Sequence, residues 1–277
     1  MSFKLVVDSC CELPEKYKDD PRIEVIPFSM EVGERLVVDD DTFIQRDFLK
    51  WIADYPGVAK SSCPSPERYM ESCETDADDV YIITISAKLS GSHNSASVGR
   101  DMYLEKAQKN IYVCDSEAAV SGEGNICLKA LELAEKGLPF KEVVEKLEAY
   151  RDEMRTYFVL DNLETLRKNG RLTGVKALVA STLSIKPVMS ADKGSIVQKS
   201  QAIGIKKALT KMVDLVINER PHTVASRLII AHCNCLERAM EVKKMLEEKA
   251  SYKEIIVIGT KGLSTMYAND GGVVIGV

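Results

Sequence analysis

Histidine is scarce in this sequence, three residues in 277, and tryptophan occurs once. No apolar run approaches the roughly 20 residues that a membrane helix needs, and the stretch Met1 to Asp8 is too short for a secretory signal. Eight cysteines are present, yet none forms a Cys-x-x-Cys pair, and Cys233-x-Cys235 beside His232 lacks a second pair at zinc-site spacing. Such cysteines read as reduced thiols of an intracellular protein. The loops Gly-x-x-x-x-Gly-Lys-Ser/Thr and Gly-x-Gly-x-x-Gly are both missing, so the common nucleotide-phosphate cradles are excluded. Gly-x-Ser-x-Gly is missing too. These absences predict a cytoplasmic protein with neither metal nor cofactor.

What is present is an ordinary globular balance, 45% hydrophobic and 29% charged residues, in a chain long enough for two domains. The net charge of −5 hides an asymmetry. Up to Arg155 there are 19 basic against 31 acidic residues, and beyond it 18 against 11. The change of sign predicts a boundary there, with domains at 1–155 and 156–277. The lysines of the basic half are scattered along helices, and no nucleic-acid partner is expected.

In the first half, strands are expected at Lys4 to Val7, Val80 to Ile85 and Ile111 to Cys114. Ile23 to Met30 and Arg35 to Val38 read as a hairpin around Gly33. Helices should run from Asp41-Thr42 through Trp51, from Pro66, through Met102 to about Lys109, through Leu128 to Lys136, and from Pro139 to Met154. Lys60 to Pro66 reads as a polar loop. The alternation predicts an α/β fold with a parallel sheet.

The second half opens with a strand at Tyr157 to Leu160 and a short helix Leu163 to Lys168. A helix is expected at Val175 to Leu183, and a hairpin around Gly194 joins Ile185 to Met189 with Ile196 to Lys199. Helices Ile205 to Asn218 and Leu236 to Lys249 alternate with strands Leu228 to Ala231 and Ile255 to Ile258, and Val273 to Ile275 closes the chain. The order of elements differs from that of the first half, so simple duplication is not supported.

Three strands of the first half end in small hydroxyl residues: Asp8-Ser9, Ser86 and Asp115-Ser116. In an open α/β sheet, ligands gather at the carboxyl ends of the strands, where helix N-termini favour anions. Leu89-Ser90-Gly91-Ser92 puts a glycine and two hydroxyls at such a helix start, although each serine also suits simple capping. Asp8 could be a phosphatase-like nucleophile, but the second acid expected two residues on is Cys10. It reads more simply as a hydrogen-bond acceptor. His93, His222 and His232 are poorly disposed as the base of a triad, and Asp161-Asn162-Leu163-Glu164 reads as a helix cap rather than a cation site. Hydroxyls and backbone donors with little acid–base equipment suit holding an anion better than changing a bond.

Six blocks then occur in the order seen in DegV-family proteins: Asp8-Ser9, the Lys60 to Pro66 loop, Ile85 to Ser92, Val113 to Ser116, Leu163 to Arg171 and Ile185-Lys186-Pro187. The resemblance spans nearly the whole chain. It implies two α/β domains, a parallel-sheet N-terminal domain with a hairpin insertion near 23–38 and a mixed-sheet C-terminal domain. It further implies one long-chain fatty acid, tail in an apolar tunnel and carboxylate near the domain interface. Members serving as the binding subunit of fatty acid kinase present that carboxylate to a separate ATP-using subunit, which makes the acyl-phosphate, so no catalytic residue is implied here. Ser61 takes the place of a carboxylate-bonding threonine. Ser90, Gly91 and Ser92 match the Ser-Gly-Thr/Ser motif, and Arg171 matches the arginine of the Gly-Arg pair. A 16-carbon tail would gain roughly 10 kcal/mol from burial before ordering costs.

The sequence departs from the family in three places. The C-terminal His-x-Gly-Pro-Gly block reads Ala268-Asn269-Asp270-Gly271-Gly272, so Tyr267 or Asn269 would replace the histidine as a neutral donor. Ile203 stands where an arginine is common, and Cys63 where glutamine is usual. These departures bear more on use of a kinase partner than on lipid binding. The ligand-binding set expected is therefore Ser61, Ser90, Gly91, Ser92, Arg171, Ser9, Ser116, Tyr267 and Asn269, with transient membrane contact left open. Two other readings stand beside it. One is a hydrolase or phosphatase-like enzyme using Asp8, Ser9 and Asp115. The other is an interaction protein docking an acidic partner through Lys206 and Lys207.

Overall fold

Leu5, Val6 and Val7 are all fully buried, so both faces of the first strand are covered, as in a parallel sheet with helices on each side. A computed structural model of the chain describes residues 2–172, 184–219 and 226–277. The helix expected at Val175 to Leu183, and His222, lie outside the described residues. Strand β1 (Phe3–Asp8) pairs in parallel with β2 (Ile23–Ile26) and β6 (Asp79–Thr84), and β6 with β7 (Asn110–Asp115). The sheet order is β2-β1-β6-β7. One face packs Val6, Ile26 and Ile82 against Tyr69 of α2 (Pro66–Ser72) and Ala96 of α3 (Ser92–Leu104). The other packs Leu5, Val7 and Ile83 against Ile126 and Ala130 of α4 (Ser121–Glu135) and Leu147 of α5 (Phe140–Glu153).

The segment Ile23 to Met30 is not one arm of a hairpin. It divides at Pro27, which has no N–H to donate, and the Phe28 N–H goes to Ser9 Oγ (3.0 Å) instead of a sheet partner. The first piece joins the parallel sheet. The second, β3 (Ser29–Val32), turns at Gly33 (φ +64°) into β4 (Arg35–Val38). The polar stretch expected as a loop contains β5 (Lys60–Ser62), which pairs with the free edge of β3 and sets Ser61 opposite Met30. Helix α1 (Gln45–Asp54) starts later than expected, because Asp40 first closes a turn on the Thr42 N–H (2.9 Å).

The second half is a mixed six-stranded sheet in the order β10-β9-β8-β13-β11-β12. Its strands are β8 (Thr156–Val159), β9 (Ile185–Asp192), β10 (Ser195–Ile203), β11 (Arg227–His232), β12 (Glu254–Gly259) and β13 (Val273–Gly276). Only β11 and β12 run parallel among these pairs. The β9–β10 turn uses Lys193 (φ +45°) and Gly194 (φ +79°), the two left-handed residues of a tight hairpin. α7 (Ile205–Glu219) and α8 (Leu236–Lys249) bury Met212, Val216, Val242 and Leu246 on one face of this sheet. α6 (Glu164–Lys168) and α9 (Gly262–Ala268) lie towards the first half.

Eleven of the fifteen residues of α4 are buried, because the helix is shared. It packs on β1 and β6 of one sheet and on β11 and β13 of the other. Gly122 and Gly124 make this approach possible. A Cβ on Gly122 would stand 2.2 Å from Thr156 Oγ1, and one on Gly124 would stand 2.3 Å from the Glu12 carbonyl oxygen. Asn125 Nδ2 then donates across to the Gly276 carbonyl (2.8 Å). Among the described residues no helix is long and apolar enough to cross a membrane.

Candidate functional site

The carboxyl end of β1 organises the site. Asp8, fully buried, accepts from the Ile85 N–H (2.9 Å) and the Ser92 hydroxyl (2.6 Å) on Oδ2, and from the Cys10 N–H (3.1 Å) on Oδ1. It thereby pins both ends of the loop between β6 and α3. The loop braces itself within that clamp: Ser86 Oγ accepts from the Lys88 N–H (3.1 Å), and Ser90 Oγ from the Ser92 N–H (3.2 Å). The Tyr69 hydroxyl lies 2.6 Å from Ser92 Oγ. Ser86 Oγ also donates to the Gly194 carbonyl (2.9 Å), which ties the β9–β10 turn to the first half.

A second clamp crosses between the halves from Asp39. Its Oδ1 accepts from the Gly262 N–H (2.7 Å), and its Oδ2 from the Leu263 N–H (2.8 Å) and the Ser9 hydroxyl (2.8 Å). Glu12 Oε1 takes the neighbouring Lys261 N–H (2.6 Å). Two buried acids thus satisfy the first backbone donors of α9. Only glycine fits at 262, where a Cβ would stand 2.3 Å from Asp39 Oδ1.

Between the clamps lies a cavity of about 350 Å³. Most of its wall is apolar, supplied by Phe28, Ile85, Val120, Phe158, Leu160 and Ile196 among others. Ser61, Cys63, Ser90, Gly91, Arg171 and Tyr267 form a polar group in that wall. The Ser61 and Tyr267 hydroxyls are 3.2 Å apart, and a Cβ on Gly91 would stand 3.4 Å from Cys63 Sγ. Arg171 Nε donates to the Leu89 carbonyl (3.1 Å) and Nη1 to the Asn169 carbonyl. Among the described residues it makes no salt bridge, so its charge is available to the cavity.

Of the residues singled out in the sequence, Ser61, Ser90, Gly91, Arg171 and Tyr267 line this cavity. Four do not. Ser92 bonds Asp8, Ser9 bonds Asp39, and Ser116 Oγ donates to the Ala118 carbonyl (3.1 Å) beside a separate polar cleft. Asn269 faces Thr165 in a third groove. Asp8 and Asp115 are also absent from the cavity wall; Asp115 Oδ1 accepts from the Ala87 (3.1 Å) and Glu117 (3.0 Å) N–H groups. His232 Nδ1 accepts from the Cys235 N–H (3.3 Å), and all eight cysteines are free thiols. Lys206 and Lys207 are exposed on α7.

Behind the cavity the electrostatics are unusual, with four buried acids and, among the described residues, no cationic side chain at hydrogen-bond distance from them. Burial pushes Asp8 up to about 6, against the pull of its three donors. Glu12 is pushed up to about 8, chiefly by burial and against the Lys261 N–H. Asp39 is raised by burial despite the Leu263, Ser9 and Gly262 donors. Glu123, on α4, is raised well above the carboxylate range by burial and then by the nearby Asp8 charge, and both its oxygens lack a hydrogen bond among the described residues. None of Asp39, Glu12, Glu123 or Ser264, a further cavity residue, stood out in the sequence. Only the three-acid run Asp39-Asp40-Asp41 was a visible signal, and it resembles a solvated turn.

A family model whose description reads uncharacterised protein, DegV family, matches residues 2–277. A DegV domain-containing protein of Streptococcus gordonii is 32% identical over 282 residues, covering 100% of this chain and 99% of its own. Among solved structures, a DegV-family protein of Ruminococcus gnavus refined with vaccenic acid is 46% identical, covers 100% of both chains and superposes with a TM-score of 0.97. The Streptococcus pneumoniae Fatty Acid Kinase (Fak) B3 protein loaded with linoleic acid is 29% identical, with coverage of 100% and 99% and a TM-score of 0.89.

Proposed function

The chain belongs to the DegV family, and on that premise we propose that it binds one long-chain fatty acid in the cavity between its two sheets. The observation that carries this reading is the division of the cavity wall. An apolar majority suits an acyl tail, and a compact polar group contains an arginine bonded only to carbonyls among the described residues. The similar proteins solved with vaccenic and linoleic acid support the same ligand class.

The carboxylate is held by the Ser61 and Ser90 hydroxyls, by Arg171 and by the Gly91 N–H. Tyr267, already beside Ser61, takes the donor role that Ala268 cannot. Ser92 acts indirectly, because its hydroxyl serves Asp8 and its N–H serves Ser90; it holds the loop in shape. Ser9, likewise, supports α9 through Asp39, while Ser116 and Asn269 have no part in the head-group site. The chain itself does no chemistry on the lipid. It works in the cytoplasm and presents the carboxylate to a separate ATP-using subunit, a role favoured by its likeness to the Fak B3 protein. The hydrolase reading lacks this kind of support, since Asp8, Ser9 and Asp115 bond the backbone and side chains around them and none lines the cavity.

Denaturing mass spectrometry of an organic extract, from protein purified without detergent, tests the reading. One equivalent of a long-chain fatty acid is expected, with retention lost on Ser61→Ala or Ser90→Ala. An empty protein that also takes up no added vaccenic acid would overturn it.

A further inference from the structure

Ser264 does not fit the role just given to its neighbours. It is 2% exposed, lines the apolar cavity, and its Oγ has no hydrogen-bond partner among the described residues. A buried hydroxyl left unmatched is costly, so its persistence in the wall calls for a function. The hydroxyls of the polar group are matched, Ser61 with Tyr267 and Ser90 with the Ser92 N–H, and Ser62, also in the wall, is exposed. The neighbouring acid Glu12 already uses Oε1 on the Lys261 N–H. The Ser264 hydroxyl is close enough to ease ionisation of that acid without reaching hydrogen-bond geometry.

The position of Ser264 separates it from the head group. On α9 it precedes Tyr267 by three residues, about 4.5 Å of helix rise, and it shares that face with Tyr267 and Ala268. Nearby wall residues include Cys10, Phe28 and Leu263, which suit hydrocarbon; Cys10 is held as a neutral thiol by burial and the adjacent acids. A fatty-acid carboxylate is already supplied with an arginine, hydroxyls and a backbone N–H elsewhere. Ser264 is therefore an isolated polar group facing the acyl chain rather than its carboxylate.

Resting on the fatty-acid reading, the geometry points to an oxygenated acyl chain as the preferred ligand, one whose hydroxyl or oxo group near the carboxyl end bonds Ser264 Oγ. A plain chain would leave that hydroxyl desolvated and unpaired. An oxygenated chain matches it, which gives the same cavity a preference between acids of equal length.

The test measures displacement of a fluorescent fatty acid by stearic acid and by positional isomers of hydroxystearic and oxostearic acid, on the full chain and on Ser264→Ala. At least one isomer should bind the unaltered protein about tenfold more tightly than it binds the variant, while stearic acid changes by less than about twofold. Ser264→Ala should also melt no lower than the unaltered protein, since it removes an unmatched polar atom. If every isomer binds both proteins alike, Ser264 recognises no substituent and the inference fails. An equal loss for stearic acid would assign the hydroxyl to the carboxylate and overturn it too. Failure of all acids, stearic included, to bind the unaltered protein would instead sink the fatty-acid reading on which the inference rests.

Discussion

Replacing Asp39 should cost far more than replacing an exposed acid. Its carboxylate accepts three short hydrogen bonds, from Ser9, Gly262 and Leu263, at 2.7–2.8 Å in a buried setting. Bonds to a charged group contribute about 1.5–3 kcal/mol each, but burial already raises the acid's pKa and cancels part of that. Asp39→Asn keeps the shape and one acceptor oxygen. Its amide nitrogen must then face the Gly262 N–H, or the Leu263 N–H if the group is flipped, and leave that donor unmatched, for a net loss of about 2–4 kcal/mol. At roughly 2–4 °C per kcal/mol for a chain of this size, the melting temperature should fall by about 5–15 °C. Asp39→Ala, which abandons all three donors, should fall further. Differential scanning calorimetry reads both. An Asp39→Asn protein melting within about 2 °C of the original would refute the idea that this acid fastens α9 to the first half.

Three other perturbations probe neighbouring parts of the argument. Glu12, raised from an ordinary 4.5 to about 8, binds its proton more tightly in the folded state, so stability is fully present below about pH 4.5 and lost as pH rises through 8. The loss is on the order of 5 kcal/mol. Urea titrations from pH 5 to 9 should show Glu12→Gln with a flatter profile, and parallel profiles would remove the acid from the account. Arg171→Ala should weaken fatty-acid binding by about 10–100-fold, with Arg171→Lys intermediate because it lacks the planar fork. Unchanged affinity in a calorimetric titration would return Arg171 to a purely structural role. Gly124→Ala, whose Cβ meets the Glu12 carbonyl oxygen, should lower stability by about 1–3 kcal/mol in urea; a neutral effect would show that α4 can shift.

How far could this arrangement be read from residues alone? The alternation of strands and helices placed β1, β6 and β7 correctly because their side chains are apolar on both faces. The hydroxyls after those strands pointed to the right end of the sheet. Asp8 was legible as an acceptor, since a strand-terminal aspartate has backbone donors within reach. Ser61 was visible only by resemblance: Lys60-Ser61-Ser62 has no apolar alternation, and its strand exists because β3 offers an edge. Asp39 and Gly262 are 223 residues apart, and nothing local says they meet. Helix α9 is hidden for a similar reason, as its first donors are satisfied by Glu12 and Asp39 rather than by a cap in its own sequence.

The position of α4 bears on how such a chain can be divided or recombined. A cut after Arg155, where the charge changes sign, would leave the first fragment with a helix apolar towards a sheet it no longer touches. The second fragment would expose the faces of β11 and β13 that the helix covers. Neither piece would keep the packing that α4 provides. A chimera of two relatives joined at that point would inherit a helix fitted at Gly122, Gly124 and Asn125 to one parent's strands and packed on the other's. Exchange of halves within the family should therefore survive only where those contacts travel together, and a tail-recognising cavity bounded by both halves would be inherited whole or not at all.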